Sequence, residues 1–397
     1  MAAETERAGG GLGAGRLALA VAGTVAGAAA FLAVTSVAVL TAVMARRVVT
    51  PPRKQPQVVW IRAVDASADV PTITLGRDPD AELPGRYGLW FDDGAGHARL
   101  GEILAETKAT VTRELLAVDS GNLRAGIRGR LSGWFFLGPD DLGYAYDDVT
   151  VETPVGPAPA WLIPAGEPSD RWVIQVHGRA TRRQEALRAV AVFRDAGYNS
   201  LLVSYRNDGD APTSLDGRYA LGDTEWEDVD AAIDFARAHG ARQVVLMGWS
   251  MGGAIALQTA TRSGKSIAGV VLESPVIDWA DVVAYQGASA RLPAVVAPGA
   301  MRLLGSGWSG RLTGQGAPID FARLDFVERA GELDLPILLM HSDDDGFVPS
   351  TGSRRLAERR PDIVTFVPFT EARHTKLWNY DPEKWNGAIT LWLRQRG

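Results

Sequence analysis

Cysteine is absent from the 397 residues of this chain. That absence excludes disulfide bonds, a thiolate nucleophile and any metal site built on cysteine ligands. Histidine occurs only five times, so a mechanism that needs an imidazole base has few candidates. Lysine is equally scarce, and no cluster of basic residues is large enough to predict a nucleic-acid surface. The sequence therefore predicts no nucleic-acid partner.

The residues that are present are those of a folded globular protein. Hydrophobic residues make up 46% of the chain, charged residues make up 22%, and the formal net charge is −6. A chain of this length is too long for one ordinary domain and is sufficient for two. The composition leaves the oligomeric state open.

Residues 17–45 form a long apolar stretch with no charged residue. About 20 apolar residues are enough to span a bilayer, so the sequence predicts a transmembrane helix here, after a tail over residues 1–16. The alternative is a cleaved signal peptide, whose apolar region is usually shorter, about 7–15 residues. The helix predicts a single-pass cell-membrane protein.

Arginine and lysine residues are more numerous after this stretch than before it. The positive-inside rule therefore predicts a cytoplasmic location for the remainder of the chain. Prolines and charges over residues 46–57 predict a linker.

Residues 58–149 show short strand patterns separated by turn signals, which predict a small β-rich region. Arg86, Trp90 and His97 could line a site in this region. Residues of these types are more often packed in a core or placed on a surface, so we assign them no chemistry.

Residues 150–397 change to apolar strand runs that alternate with amphipathic helical stretches. This alternation is typical of a mostly parallel sheet with helices on both faces. The segment G-W-S-M-G-G at 248–253 follows one of these strands and precedes a helix, as a nucleophile elbow requires. Ser250 is therefore the predicted nucleophile, and Gly248 and Gly252 are expected to leave room for the sharp turn.

A serine hydroxyl needs a neighbouring base at neutral pH. The chain order expected after such an elbow is serine, acid and histidine. His374 follows the last predicted strand and is the expected base, whereas His239 and His341 are expected to be structural. Three consecutive aspartates at 343–345 follow an earlier strand, and one of them is expected to orient the base. A calcium site in this turn is disfavoured because the longer oxygen-ligand spacing is lacking.

The reaction also needs hydrogen-bond donors for an oxyanion. Gly178 lies at the end of an earlier strand and allows the backbone to bend, so the N–H of Arg179 is one expected donor. The N–H of Met251, at the start of the helix after Ser250, is the other. His177 is expected to stabilise this loop.

These motifs resemble those of the α/β-hydrolase superfamily over residues 150–397, and most of all its serine-peptidase-like hydrolases. Alignment on Val348 and Pro349 implies that Asp345 is the catalytic acid. The resemblance also implies that residues 276–334 form a cap over the site, although ordinary helices packed on the sheet are an equal alternative.

The sequence thus predicts a membrane-anchored serine hydrolase that cleaves a carboxylic ester or thioester of a small-molecule or acyl substrate. Neither a metal nor an organic cofactor is expected. A serine peptidase of the same fold is one alternative. The other is a non-catalytic, membrane-tethered binding protein, because a fold does not dictate a function.

Overall fold

The structure, a computed structural model, describes residues 34–52 and 54–396. A helix, α1 (residues 34–49), comes first and is followed by a β-barrel and then by a larger α/β domain. Helix α1 ends just before Pro51 and Pro52, whose missing N–H groups cannot continue a helix.

Six antiparallel strands form the barrel, in the order β1-β2-β5-β4-β3-β6. The strands are β1 (Val59–Asp65), β2 (Thr72–Gly76), β3 (Tyr87–Phe91), β4 (Gly96–Glu106), β5 (Thr110–Ser120) and β6 (Arg128–Ser132). Strand β1 pairs with both β2 and β6, which closes the sheet on itself. Ile61, Leu75 and Leu89 are completely buried inside it. The β-rich region predicted from the sequence is therefore present, and it is a closed barrel.

Eight strands form the sheet of the α/β domain, in the order β14-β13-β12-β11-β9-β10-β8-β7. The strands are β7 (Asp147–Thr153), β8 (Gly156–Ile163), β9 (Arg171–Val176), β10 (Asn199–Val203), β11 (Gln243–Trp249), β12 (Gly269–Glu273), β13 (Ile337–Ser342) and β14 (Val364–Phe369). Strands β7 and β8 are antiparallel to their neighbours, and all other neighbours are parallel. The carboxyl ends of the parallel strands therefore share one edge of the sheet.

Helices cover both faces of this sheet and bury two separate cores. One core contains residues of α3 (Trp226–Ala238), α4 (Met251–Arg262) and α8 (Thr351–Arg359). The other contains residues of α2 (Leu187–Asp195), α9 (Leu377–Tyr380) and α10 (Pro382–Arg394). The segment between β12 and β13 carries three further helices, α5 (Trp279–Ser289), α6 (Val296–Leu304) and α7 (Gly310–Thr313).

The transmembrane helix predicted over residues 17–45 is corrected by the structure. Residues 17–33 lie outside the described residues, and in the described part of the chain no helix is long and apolar enough to cross a membrane. Residues 34–49 form α1 instead, and Ala45 and Val49 are completely buried in the same core as α3 and α4. Part of the apolar surface that hydropathy assigned to lipid therefore packs against protein.

Candidate active site

Ser250 lies in the turn between β11 and α4, and its backbone has φ 51° and ψ −118°. A non-glycine residue rarely adopts this conformation, so the turn is strained. A Cβ added at Gly252 would lie 2.1 Å from the carbonyl oxygen of Val176, and one added at Gly248 would lie 2.3 Å from that of Gly252. Both positions therefore require glycine, because a side chain at either would prevent the strand and the helix from meeting this closely.

The structure brings Ser250, His374 and Asp345 together. The Oγ atom of Ser250 lies 3.0 Å from Nε2 of His374. The Nδ1 atom of the same ring lies 2.8 Å and 2.9 Å from the two carboxylate oxygens of Asp345. This is the arrangement in which an imidazole accepts the serine proton while the carboxylate fixes its tautomer and orientation.

The three consecutive aspartates of the turn after β13 have different environments. Asp343 pairs with Arg354 at 2.7 Å, and Asp344 pairs with Arg373 at 3.0 Å, both on the surface. Asp345 is only 3% exposed and faces His374. The structure therefore selects the same aspartate that the family resemblance implied.

Backbone groups hold the Asp345 carboxylate in place. Its Oδ1 atom accepts hydrogen bonds from the N–H groups of Phe347 at 3.1 Å and Val348 at 2.7 Å. Burial by itself would raise the pKa of Asp345, but the charge of His374 and hydrogen bonding from His341 and His374 hold it well below the ordinary carboxyl range. Asp345 is thus an anion at neutral pH and can stabilise a protonated His374.

The two expected oxyanion donors belong to residues near Ser250. Among the described residues, the N–H groups of Met251 and Arg179 have no hydrogen-bond acceptor. A Cβ added at Gly178 would lie 3.3 Å from Cβ of Ser250, so the loop that carries Arg179 runs directly beside the elbow. Free N–H groups at these two places are suited to bind an oxyanion that forms on a carbonyl attacked by Ser250.

Sequence analysis missed Glu185, a buried carboxylate that supports this loop. Its Oε2 atom accepts the N–H of Gly178 at 2.7 Å, and its other oxygen lies 3.8 Å from Arg188. Burial raises the pKa of Glu185, and Arg188 and the Gly178 N–H oppose that rise. The hydroxyl of Tyr205 donates to the carbonyl of Gly178 at 2.8 Å. No local sequence signal marks Glu185, because its partner comes from a different element.

Glu273 is a second buried carboxylate that sequence analysis missed. It ends β12 and accepts the indole N–H groups of Trp249 and Trp385, both at 2.8 Å. It also accepts the N–H of Leu377 at 3.2 Å. Glu273 thereby links the residue before Ser250 to the segment after His374.

A small apolar cavity of about 70 Å³ opens beside Ser250. It is lined by Ser250 together with Met44, Val48, Arg179, Val276, Trp279, Val282, Val283, Gln286 and Phe347. A larger groove of about 780 Å³ lies where β9 begins and contains none of the three reactive side chains. We place the candidate binding site at the smaller cavity, because it reaches Ser250 and the larger groove does not.

The remaining residues considered from the sequence do not line this cavity. His97 and Trp90 pack together on the outer face of the barrel with ring centroids 4.5 Å apart, and Arg86 lies over the ring of Trp378. His239 ends α3, and its Nδ1 contacts the carbonyl of Phe235 at 2.7 Å. Across the described residues, no group of three or more His, Asp or Glu side chains is placed to hold a metal ion.

The strand order and the elbow together decide the fold. The eight strands have the spatial order given above, and β8 runs antiparallel to the other strands. A strained serine lies between β11 and α4. The second domain has the α/β-hydrolase fold. Residues 276–334 of this hydrolase domain supply Trp279, Val282 and Val283 of α5 to the cavity wall.

Comparisons with known proteins agree with this assignment. Residues 167–308 match the family model described as serine aminopeptidase, S33. Residues 60–132, which are the barrel, match the model of a domain of unknown function, DUF8805. No curated protein matches the chain.

The solved structures similar to this chain include an esterase from Pyrococcus furiosus. In one crystal form it is 22% identical to the chain, covers 66% of this chain and 95% of its own, and has a TM-score of 0.52. A second crystal form gives 21% identity, coverage of 66% and 97%, and a TM-score of 0.51. At this identity, the likeness shows the α/β-hydrolase fold.

Proposed function

We propose that this protein is a serine hydrolase that cleaves a carboxylic ester or thioester through an acyl-enzyme on Ser250. The observation that carries the proposal is the continuous hydrogen-bonded arrangement of Ser250, His374 and Asp345, with two free N–H groups next to the nucleophile. It is further supported by the apolar cavity that opens at Ser250.

In the first half of the proposed reaction, the Ser250 oxygen attacks the carbonyl carbon while Nε2 of His374 takes the hydroxyl proton. The N–H groups of Met251 and Arg179 hold the resulting oxyanion. The tetrahedral intermediate then collapses, and the bond to the alcohol or thiol breaks. The leaving group takes the proton from His374, and the acyl group stays on Ser250.

In the second half, water attacks the acyl-enzyme and gives its proton to His374. Collapse of this second intermediate breaks the bond to Ser250, which regains the proton, and the carboxylic acid leaves. Asp345 remains ionised throughout and stabilises the imidazolium that forms twice.

A serine peptidase is the second candidate, because the family model over residues 167–308 is that of an aminopeptidase. An enzyme that binds a free amino terminus needs a negative group to pair with the buried ammonium. The residues that line the cavity include no carboxylate. The ester or thioester is therefore the better-supported substrate class.

Labelling with a fluorophosphonate probe, combined with a panel of soluble esters, tests the proposal. We expect the wild type to react with the probe and to hydrolyse esters. We expect Ser250→Ala and His374→Ala to lower kcat by about 10⁴- to 10⁶-fold, because the nucleophile and base act as a unit. Ser266→Ala, an exposed position after α4, is the matched control and should react like the wild type.

Two other results would change the assignment. Rapid cleavage of aminoacyl anilides with poor cleavage of esters would favour the peptidase. A folded wild type that neither binds the probe covalently nor hydrolyses any substrate would contradict the proposal and favour a non-catalytic binding protein.

A further inference from the structure

Helix α1 contributes two side chains to the cavity at Ser250. Met44 and Val48 are four residues apart, so they lie one above the other on the same face of the helix. Ala45 and Val49 are completely buried next to them, whereas Val43 is 58% exposed on the other side. One face of α1 is therefore turned towards the nucleophile.

The guanidinium of Arg179 binds the carboxyl end of α1. Its Nε donates to the carbonyl of Val48 at 3.0 Å, and its Nη2 donates to the carbonyls of Arg47 at 2.9 Å and Thr50 at 3.0 Å. The last carbonyls of a helix have no partner within the helix, and the negative end of its dipole favours a cation. Arg179 supplies both the donors and the charge.

Two neighbours of Arg179 add further contacts to this end of α1. The N–H of Tyr219 donates to the carbonyl of Val49 at 2.9 Å, and the guanidinium of Arg218 donates to Oγ1 of Thr50 at 2.6 Å. The ring of Tyr219 lies 5.0 Å below the guanidinium of Arg179. The carboxyl end of α1 is thereby fixed to the loop that carries an oxyanion donor.

A glycine on α6 allows α1 to approach closely. A Cβ added at Gly299 would lie 2.9 Å from Cγ2 of Thr41, whereas one added at Gly287 of α5 would make an ordinary contact, 3.6 Å from Cε of Met44. Helix α1 thus packs against α5 and α6 and forms one side of the cavity.

We infer that α1 is a wall of the acyl pocket, and that Met44 and Val48 set the length of acyl chain this hydrolase accepts. The inference rests on the proposed function. A cavity of about 70 Å³ is far smaller than the roughly 300 Å³ or more of a site for a drug-sized ligand. An acyl chain that binds in this cavity must therefore be short.

The acyl chain suits this cavity better than the leaving group does. The leaving group must depart before water can attack, whereas the acyl group stays attached to Ser250. An enclosed, apolar cavity favours the group that remains, because its burial also keeps the apolar surface away from water until the second step.

The test compares chain-length profiles of five proteins: wild type, Met44→Ala, Val48→Ala, Val48→Phe and Val43→Ala. The last is the matched control, since it makes the same substitution as Val48→Ala on the exposed side of the same helix. The substrates are p-nitrophenyl esters with acyl chains of increasing length. A second series fixes the acyl group as acetyl and varies the alcohol.

We expect wild type and Val43→Ala to prefer short acyl chains. Val48→Ala and Met44→Ala should raise kcat/KM for hexanoyl relative to butyryl esters by about tenfold, since a methylene that fits an apolar pocket changes the rate by 10-fold or more. Val48→Phe should shift the preference in the opposite direction. The alcohol series should be unaffected by all four substitutions.

The inference is overturned if Val48→Ala and Met44→Ala keep the wild-type acyl profile, or if only the alcohol series shifts. A wild type that prefers acyl chains of eight or more carbons also overturns it. In each of these cases the protein still hydrolyses esters and reacts with the fluorophosphonate. Loss of both reactions in the wild type contradicts the proposed function instead, so the two failures are distinguishable.

Discussion

Each domain of this protein contains a histidine that is hydrogen-bonded to an aspartate, and the distance from Nδ1 to the carboxylate oxygen is the same in the two pairs. In the barrel, Nδ1 of His97 lies 2.8 Å from Asp119, and in the hydrolase domain Nδ1 of His374 lies 2.8 Å from Asp345. The two histidines differ in the contact made by the other ring nitrogen, Nε2. In His97 it contacts the carbonyl of Trp134 at 3.2 Å, and the ring is completely buried. In His374 it faces a serine hydroxyl, and the side chain is 20% exposed.

The partners of the two aspartates also differ. Asp119 is shared with Arg99 at 2.9 Å, so its charge is already compensated. Within the described residues, Asp345 pairs with no arginine or lysine, and its ion-pair partners are His374 and His341. A histidine–aspartate pair is therefore not a catalytic signature by itself. To act as a general base, the histidine also needs its second ring nitrogen to face the group that it deprotonates. The aspartate must not be paired with another cation, so that its charge can stabilise the imidazolium.

The largest expected difference between the two pairs is in catalysis. Asp345→Asn should lower kcat for ester hydrolysis by about 10⁴-fold, because an amide would hold the wrong tautomer of His374. Asp119→Asn should leave kcat unchanged, since His97 lies in the barrel and does not contact the nucleophile. Initial rates at neutral pH measure both. A comparable loss in Asp119→Asn would break the comparison and give the barrel pair a role in the reaction.

A smaller difference is expected in stability. Asp119→Ala should lower the free energy of unfolding by about 1–3 kcal/mol, because it leaves the buried Nδ1–H of His97 without an acceptor. Urea denaturation measures the change. The control is Asp69→Ala, an exposed carboxylate in the turn after β1, which should have no effect. Equal stability of the two variants would show that the barrel pair contributes nothing.

The smallest expected effect is in the pH dependence of stability. Burial lowers the pKa of His97, despite Asp119, and lowers that of His177 to about 4. The unfolded chain binds a proton near the ordinary histidine pKa of about 6.5, so the contribution of these two histidines to stability is constant above this pH and falls below it. We therefore expect wild type to lose more stability than His97→Gln between pH 6.5 and 4, measured as the difference between their free energies of unfolding at each pH. An identical slope in that variant would place the whole effect elsewhere.

The proximity of Ser250 and His374 could be predicted because the place of each residue follows from a local constraint and a rule of chain order. The space beside Gly248 and Gly252 leaves no alternative to glycine, so the turn is recognisable from its letters. The choice among Asp343, Asp344 and Asp345 could not be derived from the residues alone. It depends on which carboxylate the turn buries. The other two carboxylates form ion pairs with arginines on the surface.

The placement of α1 could not be predicted, because hydropathy counts apolar residues without knowing what they pack against. The surface that receives α1 includes Gly287 and Gly299, which are far away in the chain. The supporting roles of Glu185 and Glu273 could not be predicted for the same reason, since the hydrogen-bond partners of each lie outside its own element. Long-range contacts thus decide what the local pattern leaves open.

The two sheets differ in their exposure to self-association. The barrel closes on itself, whereas the hydrolase sheet ends at β7 and β14 and presents backbone hydrogen-bonding groups there. Strand β7 carries Asp147, Asp148 and Glu152, which repel a second copy of the same strand. Strand β14 carries Pro368, which has no N–H to offer a new neighbour. Each open edge therefore opposes strand-by-strand aggregation, β7 through its negative charge and β14 through the missing N–H of its proline.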